Sequence, residues 1–257
     1  EQYANYIGHY FPTTGRYQIY HLPVLHKPDP GDKTKTLSLP TAPNDMVLDK
    51  QGNVWFTEMN ADAIGVLHVK TGQFTHYPLS SPPTIQTLNP YGITIDPQGN
   101  IWFTEANNSR LGYFNPNFNP KTGAIKYYQS PETNKPLMEV ASDSHGNIWA
   151  TSFSSGLLLA FNPASGQFTS YEVSANGSFN PAGGVYGLTI SPDDKVWIAV
   201  TTASAIARLD PQTNHFLYYQ TPTGGSLPFG IAMDSNHTLW FTEAGANKIG
   251  SFKYSNH

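Results

Sequence analysis

A short phrase built on tryptophan recurs along the chain and constrains the fold more than any other feature. It reads Ile-Trp-Phe-Thr-Glu at 101–105, and close copies end at Glu58 and Glu243. All five tryptophans belong to copies of it: Trp55, Trp102, Trp149, Trp197 and Trp240, at intervals of 47, 47, 48 and 43 residues. A near-constant interval in this range indicates a repeat architecture in which each repeat is one supersecondary unit.

Each repeat contains four short apolar runs separated by turn residues. In residues 90–129 the runs are about five residues long and are bounded by Gly, Pro or Asn, which predicts a four-stranded antiparallel meander. A lone sheet of this kind cannot bury both faces, so the repeats must stack, and a ring of them is a β-propeller around a central channel. The third run carries a small residue, as in Leu111-Gly112, and we expect it to let a neighbouring blade's tryptophan approach.

The predicted fold is therefore all-β, with residues 1–257 forming a single β-propeller domain of four-stranded antiparallel blades. The repeats span about 44–78, 90–129, 138–172, 185–220 and 228–253. Residues 1–22 match the third and fourth runs of the first full repeat at a constant offset of 57 residues, which sets Glu1 opposite Glu58. The chain is thus expected to begin within a blade, and six or seven blades are predicted for the full protein, with seven favoured.

Composition removes several classes of function. The chain has no cysteine, which excludes disulfides and thiolate chemistry. Its net charge is −4 and no basic stripe is visible, so nucleic acid is not expected as a partner. No apolar run is long enough to span a membrane. Asn107, Asn176 and Asn236 match the N-glycosylation pattern, although a turn role is favoured for them.

Several motifs together resemble the repeat of the virginiamycin B lyase (streptogramin B lyase) family. They are Pro90-Tyr91-Gly92-Ile93, the phrase at 99–105, the run at 108–112 and Thr122-Gly123. The resemblance extends through every repeat. It implies a seven-bladed propeller, a histidine on an innermost strand that acts as base, and a magnesium ion held by acidic side chains. It also implies that the antibiotic's lactone ring is opened by elimination.

The position that the resemblance assigns to the lyase histidines is the variable residue that opens the innermost strands, before the Gly-Ile step. Here it holds Asn44, Tyr91, Met138, Tyr186 and Phe229. Because elimination needs a proton acceptor near neutral pH, for which histidine is best suited, we predict no catalytic residue. Asn44, Tyr91, Tyr186 and Phe229 are predicted instead to bind a ligand at the channel mouth. The alternative is that these bulky side chains merely plug the channel.

Three glutamates close the repeat phrase and form the predicted metal site. Glu58, Glu105 and Glu243 end second strands, where converging carboxylates would suit Mg²⁺ or Ca²⁺. The alternative is that each carboxylate accepts hydrogen bonds from its own turn.

Three functions follow from these observations. The favoured one is a non-catalytic, extracytoplasmic or secreted binding or scaffold module that engages a protein, glycan or small molecule at the channel mouth. The second is a magnesium-dependent lyase that opens a cyclic depsipeptide lactone. The third is a propeller of the sugar-lactone hydrolase type, which requires a metal shell that we cannot assemble from the sequence.

Overall fold

The computed structural model describes residues 5–29, 31–32, 34–79, 87–116, 125–173 and 184–254. The predicted equivalence of Glu1 with Glu58 and the acceptor pattern at Asn176 lie outside these residues. Within them the chain is all-β, and its one helical element is a 3₁₀ turn at Thr201–Ala203. The prediction of an all-β propeller is confirmed.

The strands follow one another as antiparallel sheets. β1 (Tyr6–Phe11) pairs with β2 (Arg16–His21), and β3 (Leu25–Pro28) pairs with β4 (Thr36–Leu39). Blade A comprises β5 (Pro43–Leu48), β6 (Val54–Glu58), β7 (Ala63–His68) and β8 (Gln73–Pro78). Blade B comprises β9 (Pro90–Ile95), β10 (Ile101–Glu105), β11 (Arg110–Phe114) and β12 (Lys126–Gln129).

The remaining sheets repeat this order. Blade C comprises β13 (Leu137–Ser142), β14 (Ile148–Ser152), β15 (Leu157–Asn162) and β16 (Gln167–Glu172). Blade D comprises β17 (Val185–Ile190), β18 (Val196–Val200), β19 (Ala205–Asp210) and β20 (His215–Gln220). Blade E comprises β21 (Pro228–Met233), β22 (Thr238–Glu243) and β23 (Lys248–Lys253). The first strands of successive blades contact one another, so they form the inner layer that lines the channel.

The tryptophans are held by a repeated hydrogen bond. In blade B the Trp102 indole donates to Asp96 at 3.0 Å, and the ring packs 5.7 Å from Phe161 of blade C. Equivalent bonds join Trp55 to Asp49, Trp149 to Asp143 and Trp240 to Asp234. In blade D the acceptor position holds Ser191, and the Trp197 indole nitrogen has no hydrogen-bond partner among the described residues.

Four of the five tryptophans are buried and the fifth is not. Trp55, Trp102, Trp149 and Trp197 are at most 5% exposed, whereas Trp240 is 45% exposed. The physical reason is that each buried ring is covered by the following blade, and no described sheet covers this face of blade E. Ile249 on the neighbouring strand is likewise 72% exposed.

The small residue of the third strand packs against a ring of its own blade. A Cβ built on Gly112 would overlap the ring of Phe103, which belongs to the same blade. Gly65 and Gly250 meet Phe56 and Phe241 in the same way. The glycine therefore accommodates the phenylalanine directly across the strand pair, and the approach of a neighbour's tryptophan stays a prediction.

Candidate functional site at the channel mouth

The threonine of the repeat phrase shapes the inner strands. In blade A the pairing of β5 with β6 slips between Pro43 and Met46, and the same slip recurs in the other four blades. Thr57 fills it, because its hydroxyl accepts the Asp45 amide at 3.1 Å and donates to the Tyr91 carbonyl at 2.8 Å. Such a bulge re-aims side chains, and here it lies at the second residue of the strand, the predicted ligand position.

The four predicted ligand-binding residues come together. The Tyr91 and Tyr186 hydroxyls are hydrogen-bonded to each other, although the two strands belong to blades B and D. The Tyr186 ring lies 4.8 Å from Phe229, and the Asn44 amide donates to the Tyr91 carbonyl at 3.2 Å. All four are half-buried. The structure therefore builds a continuous patch from residues that are widely separated in sequence.

One further aromatic residue joins this patch. Phe153 follows β14 and its ring lies 6.0 Å from Tyr186, nearly at right angles to it. We call Tyr91, Phe153, Tyr186 and Phe229 the aromatic cluster. Sequence reasoning missed Phe153, because it lies beyond the repeated phrase in a turn whose direction no local pattern indicates.

Two carboxylates accompany the aromatic cluster. Asp45 accepts the Ile93 amide at 2.9 Å and the Met46 amide at 2.8 Å. The Glu139 carboxylate has no hydrogen bond or ion pair to any described residue. Burial, together with the negative charge of Asp45, raises the pKa of Glu139 to about 8. Burial also raises the pKa of Asp45.

A signal for this pair was present in the sequence. The residue after the predicted ligand position is glycine in blades B, D and E, whereas blades A and C carry Asp45 and Glu139 there. Acidic residues where the repeat otherwise has glycine mark a departure from what the fold requires. Sequence reasoning considered only the preceding position and therefore missed both.

The tyrosines at this site are poor proton acceptors. Burial raises the pKa of Tyr91, and the Asp45 and Glu139 charges add to the effect. The pKa of Tyr186 is raised by burial and by its hydrogen bond to Tyr91. Both hydroxyls are consequently neutral near pH 7, so neither supplies the base that an elimination requires.

The three predicted metal ligands are each bonded within their own part of the fold. Glu58 lies 2.7 Å from His76 Nδ1, Glu105 is paired with Arg110, and Glu243 accepts from Thr223 at 2.9 Å. Burial raises the pKa of Glu105. Across the described residues, no three His, Cys, Asp or Glu side chains are grouped closely enough to hold a metal ion. The structure thus does not gather these carboxylates, and binding of Mg²⁺ or Ca²⁺ stays a prediction.

A separate cleft of about 340 Å³ lies between blades B and C, at the opposite ends of their strands. Its polar wall includes Asp96, Asn100 and Asn147. Asp96 and Asn100 are already hydrogen-bonded to each other and Asn147 to Asp143, so this wall belongs to the repeated turns.

Comparison with known proteins assigns the repeat to a family. Residues 119–257, more than half of the chain, match the Virginiamycin B lyase family. The chain belongs to this family. No curated protein sequence matches it. In the part of the chain that the structure describes, no helix is long and apolar enough to cross a membrane.

Solved structures agree with this family assignment. A catalytically inactive histidine-to-alanine variant of virginiamycin B lyase from Staphylococcus aureus, crystallised with quinupristin, is 28% identical to this chain. The two structures match with a TM-score of 0.79, over the whole of this chain and 76% of the lyase chain. A streptogramin B lyase structure is 26% identical to this chain and matches it with a TM-score of 0.77, over the whole of this chain and 78% of the lyase chain. An extracellular domain from B. thetaiotaomicron shares the fold, at 21% identity and a TM-score of 0.67. The match covers 97% of this chain and 31% of the B. thetaiotaomicron chain.

Proposed function

We propose that this chain is a non-catalytic, extracytoplasmic binding propeller of the virginiamycin B lyase family, and that its ligand is received at the channel mouth. One observation carries the proposal. The position that the family resemblance assigns to the base is occupied by Phe229, and the equivalent positions of the other blades hold Asn44, Tyr91, Met138 and Tyr186. The aromatic contacts among these residues form a surface suited to a ligand and offer no group to take its proton.

The lyase reaction is the second candidate. Glu58, Glu105 and Glu243 are buried, and each has one carboxylate oxygen without a hydrogen-bond partner among the described residues. Carboxylates in this state favour a cation, as the lyase would need. No comparable observation favours the sugar-lactone hydrolase.

The experiment that separates the two candidates is an assay of the complete protein on a streptogramin B lactone with Mg²⁺, beside its Phe229→His variant. We expect the unmodified protein to show no turnover above background, because general-base catalysis contributes about 10²- to 10⁴-fold and no histidine occupies the base position. Activity that appears only in the histidine variant would support the proposal. Turnover by the unmodified protein at the level of the S. aureus enzyme would overturn it.

A further inference from the structure

Two carboxyl groups lie beside the aromatic cluster without a positive partner among the described residues. A Cβ built on Gly92, the residue after Tyr91, would lie 3.1 Å from the Glu139 Cα, and Asp45 accepts the Ile93 amide at 2.9 Å, so both acidic residues pack against the strand that carries Tyr91. Throughout the described ranges, no lysine, arginine or histidine forms an ion pair with either carboxylate. The Asp45 carboxylate accepts hydrogen bonds from two backbone amides, which stabilise its negative charge. The Glu139 carboxylate has no such donors among the described residues.

This combination has a specific chemical consequence. A carboxylate that is partly withdrawn from water, as half-buried Glu139 is, is costly unless a positive group neutralises it. Aromatic faces attract cations through their ring quadrupoles, at distances within about 6 Å of the ring centroid. Tyr186 is central to the patch, since Phe229 lies 4.8 Å from its ring and Phe153 6.0 Å from it. Clustered aromatic faces are used to recognise ammonium groups in proteins.

We propose that the ligand of the channel mouth carries an organic ammonium group, which lies against Tyr186 and Phe229 and is neutralised by Glu139. The inference rests on the proposed function, because it names the chemical class of the ligand that this site receives. A hydrated metal ion is a poorer match, since the described residues bring no third acidic or histidine ligand to Asp45 and Glu139, and the two tyrosine hydroxyls are bonded to each other.

The test uses two probes of nearly equal shape and different charge. Choline and its neutral isostere 3,3-dimethyl-1-butanol are titrated into the complete protein by calorimetry at pH 9, where the Glu139 carboxylate is mostly ionised. We expect choline to bind at least about tenfold more tightly than the neutral alcohol, a difference of about 1.4 kcal/mol. Equal affinities, or no binding of choline, would overturn the inference.

A matched pair of variants locates the charge. Glu139→Gln should weaken choline binding at least about tenfold, whereas Glu172→Gln, on the exposed outer strand of the same blade, should leave it unchanged. Equal binding by wild type and Glu139→Gln would overturn the inference. Phe229→Leu removes one aromatic face and keeps an apolar side chain of similar bulk. It should weaken the binding of choline more than the binding of the neutral alcohol.

The outcomes for the two proposals are distinguishable. If the neutral alcohol and choline bind equally and Phe229→Leu weakens both, the channel mouth binds a ligand and only the ammonium inference fails. If the unmodified protein turns over a streptogramin B lactone, the non-catalytic proposal fails, whether or not choline binds. Far-ultraviolet circular dichroism of each variant excludes unfolding as the cause of lost binding.

Discussion

At the scale of single residues, Glu139 is a carboxyl whose pKa is strongly raised. It lies on the inner strand of blade C with Asp45 as its charged neighbour, and the phenols of Tyr91 and Tyr186 are the other titratable groups that face it. Its pKa of about 8 exceeds the ordinary value of 4.5. The folded protein therefore holds a proton on Glu139 over a pH range in which the unfolded chain has released it.

This shift predicts how stability depends on pH. Between about pH 4.5 and pH 8 the native state binds more protons than the unfolded state, so the free energy of unfolding should fall as pH rises through this window. Glu139→Gln removes the titrating group, and its stability curve should be flatter over the same range. Urea unfolding at several pH values measures this, with Glu172→Gln as the control. Parallel curves for wild type and Glu139→Gln would contradict the assignment.

At the scale of elements, each blade depends on a complementary pair of side chains across its second and third strands. Phe103 pairs with Gly112 in blade B, where any Cβ on the glycine would overlap the phenylalanine ring. In blade D the corresponding pair is Ile198 and Ala207. The repeat thus conserves the combined volume of the pair and not the identity of either residue, as expected for a close-packed interior.

This pairing predicts a compensating double substitution. Gly112→Ala alone should lower the free energy of unfolding by about 1–3 kcal/mol, because the added methyl group overpacks the core. Phe103→Ile together with Gly112→Ala recreates the blade D pair and should recover part of that loss, which a double-mutant cycle by urea unfolding measures. Gly224→Ala is the control, since no atom lies within 4 Å of the position of its Cβ. Strict additivity of the two substitutions would contradict the pairing.

At the scale of the whole molecule, the blades bury one another's tryptophans in sequence and the last described face is open. Trp55, Trp102 and Trp197 each contact an aromatic residue of the following blade, at 5.5–5.9 Å between ring centroids. Trp240 of blade E has no such neighbour among the described residues. The N-terminal hairpin covers the other side of blade A, where Ile7, Tyr20 and Leu22 pack with Phe56 and Leu67.

The open face predicts an unequal response of the tryptophans to solvent. Acrylamide should quench one fluorescent component of the folded protein, and Trp240→Phe should remove most of it, because the other four indoles are at most 5% exposed. The protein unfolded in guanidinium, with every indole accessible, provides the reference. Quenching that is unchanged by Trp240→Phe would mean that another segment or molecule covers this face in solution.

The sequence by itself determined the blades, because each is specified within its own short segment. Turn residues bound the strands, Asp96 and Thr104 recur at fixed distances from Trp102, and these local patterns repeat with the fold. It also predicted the ligand positions, since the variable residue near the start of the innermost strand stands out against the repeat. These predictions needed no knowledge of how the blades are placed around the channel.

The tertiary structure alone decided which of those residues meet. Tyr91 bonds to Tyr186 across the inner layer, and Asp45 lies close enough to Glu139 to raise its pKa, although the partners belong to different blades. Glu58, Glu105 and Glu243 occupy equivalent positions and are nevertheless bonded separately. Equivalence in a repeat fixes the place of a side chain within its blade. Contact across the channel depends on side-chain length and on the ring geometry, which no single repeat encodes.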